Sequence, residues 1–90
     1  MSPVSRTVEV LNKRGLHARA SAKFVTLAAS QSAAVEVEKD GSTVCGTSIM
    51  GLMMLGAACG DRITISAKGV GADDAVAALA ELVEAKFGED

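Results

Sequence analysis

The sequence predicts an α+β fold, an open-faced β-sandwich: one four-stranded antiparallel sheet covered by three helices on one face and wet on the other. Three observations lead there. Four short stretches alternate polar and apolar residues at the two-residue period of a half-buried strand, and three others carry apolar residues at helical spacing. The two kinds follow one another in the order β-α-β-β-α-β-α. Alternation gives each strand one wet face, which antiparallel sheets accept and parallel sheets do not. The 90 residues fit one domain over positions 1–90, and the pattern by itself leaves the strand order open.

Thr7 to Leu11 alternates and forms the first strand. Asn12 to Gly15 is a turn, after which Leu16 returns toward the core. Ala18 to Ser30 is rich in helix formers, with Ala20, Phe24, Leu27 and Ala28 on one apolar stripe and Arg19, Lys23 and Thr26 on other faces. Ala33 to Lys39 alternates again, Asp40-Gly41 is a tight-turn signal, and Ser42 to Gly46 completes a hairpin with Val44 as its anchor. Thr47-Ser48 supplies N-cap chemistry for a second helix from Ile49 to Leu55, terminated by Gly56. Gly60-Asp61 turns into a fourth strand, Arg62 to Ala67, and Lys68 to Gly71 is a glycine-punctuated loop. The last helix runs from Ala72 to Phe87, with Asp73 and Asp74 at the positive end of its dipole and Val76, Leu79, Ala80, Val83 and Phe87 facing the core. Gly88 to Asp90 is expected to fray.

The second helix is apolar almost all round. Leu52 and Leu55 share one side, while Ile49, Met50, Met53 and Met54 occupy the other. Two turns on a small domain can hardly bury both, so the methionine side is expected to stay exposed as a partner-binding surface; burial on two sides by neighbouring elements is the alternative.

Composition narrows the function classes. Phe24 and Phe87 are the only aromatics and the net charge is −2, so the chain lacks both the stacking platforms and the basic field of a nucleic-acid binder. No stretch approaches a membrane span and the first residues lack the apolar core of a signal peptide, which makes a cytoplasmic protein the expectation, with no membrane partner. Cys45 and Cys59 are too far apart for a CxxC motif and no second histidine exists to complete a zinc site, so neither metal nor cofactor is expected, and the thiols are expected to be reduced and partly buried.

The chemistry concentrates between Lys13 and Lys23. That segment holds the only histidine, His17, and four of the nine basic residues: Lys13, Arg14, Arg19 and Lys23. A helix mouth offers unpaired N–H groups and the positive end of the macrodipole, both of which favour an added anion. Arg19 and the basic loop would hold a dianionic phosphoryl group, and Gly15 leaves the approach open. A loop histidine of no function is the plain alternative. No companion set for ordinary catalysis exists, so a carrier fits better than an enzyme: neutral imidazole is a nucleophile near pH 7 that needs no base, and a good leaving group once protonated. Ser48 is the second candidate. It caps a helix in the plain reading; in the functional one it is a regulatory phosphorylation site whose charge beside Ile49 and Met50 would weaken docking.

Gly15-Leu-His17-Ala-Arg19 and Gly46-Thr-Ser48-Ile-Met50-Gly51-Leu-Met-Met-Leu-Gly56 closely resemble the two signature segments of the HPr family, the histidine-containing phosphocarriers of the bacterial phosphotransferase system. The resemblance runs from about Thr7 to Phe87. It implies sheet order 1-4-2-3, with His17 accepting a phosphoryl group on Nδ1 from phosphorylated Enzyme I and passing it to an EIIA-type domain. It further implies that Arg19 steadies that group and that Ser48 is the target of an HPr kinase/phosphorylase. Partners would dock on the first two helices, around Lys23, Ile49, Met50 and Met53, and a monomer is the default. Two departures stand out. Ala20 replaces the proline that follows the arginine in many sugar-system members, and Thr26 and Ala29 occupy positions that are often basic. The first resembles the nitrogen-related branch, NPr, or HPr of bacteria with few sugar permeases; the second implies weaker electrostatic attraction to Enzyme I or a different partner. A regulatory binding module of the nitrogen-related branch, controlled mainly through Ser48, is the second reading.

Overall fold

The computed structural model describes residues 3–89. Within them the chain runs β1 (Val4–Glu9), α1 (Ala18–Ala29), β2 (Ala34–Lys39), β3 (Ser42–Cys45), α2 (Ile49–Met54), β4 (Arg62–Lys68) and α3 (Ala72–Glu84). The strands form one sheet in the order β1-β4-β2-β3, and every neighbouring pair is antiparallel. This is the expected open-faced α+β sandwich.

Alternation decides which face is dry. In register, Val8 lies opposite Ile63, Val37 opposite Ile65 and Val35 opposite Ala67. All six are buried, and their neighbours in sequence turn to the wet face, where the hydroxyls of Thr7 and Thr64 meet at 2.9 Å across the β1–β4 pair. α3 packs on β1, β4 and β2, and α1 packs on α3 and α2. Phe24 of α1, Leu79 and Val83 of α3, Leu52 of α2 and Phe87 close the core, each without solvent exposure or nearly so. Burying a side chain of this size contributes roughly 2–3 kcal/mol.

The elements differ from expectation at their ends. β1 begins three residues earlier than the alternation suggests, because Val4, Ser5 and Arg6 pair with Ala67, Ser66 and Ile65 whatever their own propensity. Val10 has left the strand, yet it donates to Asp61 O at 2.8 Å and accepts from Gly60 N at 2.8 Å. α3 ends at Glu84 rather than Phe87. Lys86, Phe87 and Gly88 then take φ values of 58°, 55° and 75°, a left-handed turn that swings Phe87 back into the core. Asp90 lies outside the described residues. Among the described residues, no helix is long and apolar enough to cross a membrane.

One backbone contact positions everything that follows. Gly15 has φ 62°, and a Cβ built on it would lie 2.3 Å from Ala57 O. The glycine therefore serves close backbone approach, where the sequence suggested an open path to His17. Leu16 N then donates to Ala57 O at 2.9 Å, fastening the β1–α1 loop to the segment after α2. Replacing Gly15 by Ala combines a disfavoured backbone conformation with a clash and should cost roughly 3 kcal/mol or more. Gly41 is the control, because its φ is 85° with nothing within 4 Å. Gly41→Ala should cost only the conformational part, roughly 1–2 kcal/mol. Urea unfolding of the two variants measures the difference.

Candidate functional site

The loop pinned at Gly15 delivers His17 as the N-cap of α1, with extended backbone (φ −73°, ψ −179°). Nδ1 accepts a hydrogen bond from Arg19 N at 3.2 Å. The imidazole thus satisfies one of the orphan N–H groups at the helix start, as Ser or Asp would in its place. A backbone N–H can only donate, so Nδ1 carries its lone pair and aims it at the positive end of a twelve-residue helix. No acidic residue occupies the first turn of α1. The His17 side chain is 15% exposed.

The other ring nitrogen, Nε2, lies 2.6 Å from Oε2 of Glu89. Asn12, fully buried, reaches the second oxygen of that carboxylate: its Nδ2 donates to Glu89 Oε1 at 3.0 Å and to Gly15 O at 2.8 Å. Two acceptor oxygens fix the amide orientation, since a flip would set oxygen against oxygen. Among the described residues, Asn12 Oδ1 has no hydrogen-bond partner. Lys23, on the second turn of α1, donates from Nζ to Phe87 O at 2.7 Å. The tail expected to fray is therefore held at Glu89 by its contacts with Asn12 and His17.

The basic residues singled out in the sequence converge. Lys13, Arg14, Arg19 and Lys23 line one shallow basin of about 410 Å³, together with Gly88 and Glu89. Partial burial would raise the Glu89 carboxyl, but hydrogen bonds from Asn12 and His17 and the nearby charge of Lys23 outweigh it and hold the group below the usual carboxylate range.

Ser48 sits at the head of the neighbouring helix, half-buried, and its Oγ accepts from Gly51 N at 3.0 Å. Leu52 on the same helix is fully buried, whereas Ile49, Met50, Met53 and Met54 are 40%, 69%, 42% and 80% exposed. One side of α2 packs and the other faces water. The cysteines depart from expectation: both are free and exposed rather than partly buried. Cys45 stands on the outer strand of the sheet and Cys59 in the loop before β4. A hydrogen bond with the Thr47 side chain holds the Cys45 thiol below its ordinary value.

Residues 4–85 match the family model described as the PTS HPr component phosphorylation site. The chain belongs to the HPr family. It is 45% identical over 86 residues to the phosphocarrier protein HPr of Neisseria meningitidis, covering 96% of this chain and 97% of the relative. It is also 39% identical over 89 residues to the phosphocarrier protein NPr of Shewanella violacea, covering 99% and 98%. An HPr crystal structure from Thermoanaerobacter tengcongensis superposes with a TM-score of 0.90 at 46% identity, covering 100% of this chain and 99% of that one. The family is thus that of the phosphotransferase-system phosphocarriers, HPr and NPr.

Within this HPr-type frame, sequence reasoning passed over Asn12 and Glu89. Asn12 looked like turn punctuation and Glu89 like tail. The available signal was an Asn beside a Gly-containing loop, which carries no information about a partner 77 positions away.

The depressed Glu89 titration gives a test. Its folded value lies below the 4.5 of an unperturbed carboxyl, so the unfolded state binds more protons between the two. The stabilisation is fully present above about pH 4.5 and is lost as pH falls through the folded value. Wild type should therefore exceed Glu89→Gln in urea midpoint at pH 7, and the two should converge in strong acid.

Proposed function

We propose that this chain carries a phosphoryl group on Nδ1 of His17, taken from phosphorylated Enzyme I and handed to an EIIA-type protein in the cytoplasm. The observation that carries the reading is the lone pair of Nδ1 aimed at the mouth of α1 beside the basin of Lys13, Arg14, Arg19 and Lys23. The nucleophile needs no general base, because a neutral imidazole already presents a lone pair. As the new P–N bond forms and the donor's bond to phosphorus breaks, the phosphoryl oxygens would take over the Arg19 N–H from Nδ1. The Arg19 guanidinium would then swing onto the oxygens in a charge-assisted pair. These groups bind the phosphoryl group without dispersing it to water, which suits storage and transfer. The protein is on this reading a stoichiometric carrier and not an enzyme in the turnover sense, and it acts as a monomer without a cofactor.

Docking is proposed for the exposed methionine side of α2 with Lys23 and the start of α1. Ile49, Met50 and Met53 supply an adaptable apolar surface. Modification of Ser48 by an HPr kinase/phosphorylase would place about two negative charges against that surface. A second reading, a regulatory binding module of the nitrogen-related branch, draws on Ala20 and on the likeness to an NPr relative. In that second reading the Ser48 switch dominates and His17 carries little traffic.

With Enzyme I and labelled phosphoenolpyruvate, the wild type should take up one acid-labile phosphate per chain. His17→Ala should take up none, and equal labelling of that variant would refute the assignment. Arg19→Ala should keep the fold and slow transfer at least roughly tenfold, the worth of one charge-assisted hydrogen bond. Met50→Glu should weaken partner binding in titration calorimetry while leaving the melting temperature unchanged. Labelling at Ser48 by ATP and a kinase, without transfer from Enzyme I, would favour the regulatory module.

A further inference from the structure

The carrier reading leaves unexplained why a buried amide, a carboxylate far along the chain and a lysine on α1 all bear on one imidazole. We propose that Glu89, aligned by Asn12, is a positioning residue for His17: it keeps the ring proton on Nε2, so that Nδ1 alone is the nucleophile. Lys23 serves the same end by clamping the turn that carries Glu89. This rests on the carrier reading and specifies which atom reacts and why.

Two independent contacts select the same tautomer. The Arg19 N–H donates to Nδ1 at 3.2 Å, so that nitrogen must be unprotonated. A carboxylate oxygen stands 2.6 Å from Nε2, so that nitrogen must carry the proton. Either contact alone would bias the ring; together they orient it about its axis as well. Asn12 fixes the carboxylate in turn, holding its other oxygen at 3.0 Å from a side chain that is itself fully buried. A ring nitrogen's hydrogen bond to a carboxylate commonly decides which nitrogen does the chemistry.

The turn that delivers Glu89 has no intrinsic reason to form. Lys86 and Phe87 adopt positive φ, a conformation that side-chain-bearing residues rarely take. Two anchors hold it. The Phe87 ring is buried at 1% exposure, and its carbonyl accepts the Lys23 ammonium at 2.7 Å. Lys23 is thereby engaged in the architecture of the site, in addition to the docking role suggested by its position on α1.

The step balances without a further reactant. The Nδ1 lone pair forms the P–N bond while the donor's bond to phosphorus breaks, and the leaving group departs with that electron pair. The Nε2 proton stays on the ring, so the phosphorylated ring is cationic and faces the Glu89 carboxylate. Onward transfer to an acceptor reverses the charge change, and no proton has to leave or return.

The test uses the full chain with 15N-labelled histidine and phosphoramidate, a small phosphoryl donor that releases ammonia, so that no partner protein is required. In the wild type, long-range 1H–15N spectra should show a protonated Nε2 and an unprotonated Nδ1, and 31P spectra should show phosphorylation on Nδ1. Glu89→Ala should shift both the tautomer ratio and the Nδ1 to Nε2 product ratio by roughly tenfold or more, the change expected from losing a hydrogen bond to a charged group. Glu89→Asp, which keeps the charge, should recover part of the effect, and Lys23→Met should move both ratios in the same direction as Glu89→Ala. Lys23 is exposed and Glu89 half-buried, neither side chain belongs to the core, and folding of each variant is checked by circular dichroism. Unchanged ratios in Glu89→Ala overturn the proposal. So does faster phosphorylation of that variant, the mark of a strap that blocks His17. Failure of Enzyme I to label the wild type would refute the carrier reading separately, because the tautomer comparison needs no donor.

Discussion

The β1–α1 loop lies directly on the backbone of Ala57, with only a hydrogen atom of Gly15 between them. That contact, continued by the Leu16–Ala57 hydrogen bond, determines where α1 begins and what stands at its mouth. Nothing in α1 itself requires a histidine as N-cap; Ser or Asp would serve the helix equally well. The loop reaches the helix start by a path that admits no Cβ at position 15, and the residue two places on is then presented in extended conformation with its ring over the first turn. The segment after α2 supplies the other wall of this contact. The stretch that carries His17 therefore rests on the residues just after α2, which follow Ser48 and the methionine surface in the chain.

The proposed carrier role asks for an imidazole that is reachable yet held still. A ring at 15% exposure cannot be approached from every side, and its two nitrogens face different partners. One nitrogen meets the start of α1; the other meets Glu89, whose carboxylate shares a basin with Lys13, Arg14, Arg19 and Lys23. On the proposed carrier reading the reacting nitrogen would gain a negatively charged phosphoryl group while the ring gains positive charge, and the Glu89 carboxylate at the other nitrogen would face that cation. An acidic residue in the first turn of α1 would oppose that arrangement, and none is present. The protein as a whole is mildly acidic, so the field at the site is local and owes nothing to net charge.

Much of this was legible in the residues because it is carried by short periods. The strands show themselves in Val35-Glu36-Val37-Glu38 and Ile63-Thr64-Ile65, the helix starts in Ser48 and in Asp73-Asp74, and the exposed side of α2 in an unbroken apolar run too short to bury both faces. His17 and the basic segment stood out because they are singular in composition. What escaped was long-range. Phe87 sits at helical spacing from Val83, so periodicity extends α3 through it, whereas the chain reverses there once a left-handed turn can be held by the Lys23 ammonium and a buried ring. The pairing of Asn12 with Glu89 spans almost the whole chain, and neither residue type at its position announces a partner. The strand order likewise followed from the family resemblance, since alternation says which face is wet but not which edge meets which.

The same long-range contacts explain how a domain this small can keep a reactive group in register. Lys23, three residues beyond Ala20 and six beyond His17, ties α1 to the turn after α3, and Glu89 ties that turn back to His17. The circuit closes through Asn12 to Gly15, where the loop meets Ala57. Each link is a single hydrogen bond of modest net worth, and each joins segments that are distant in sequence. Because they share partners, their effects on the ring should not be additive: loosening any one of them leaves the others a weaker geometry to hold.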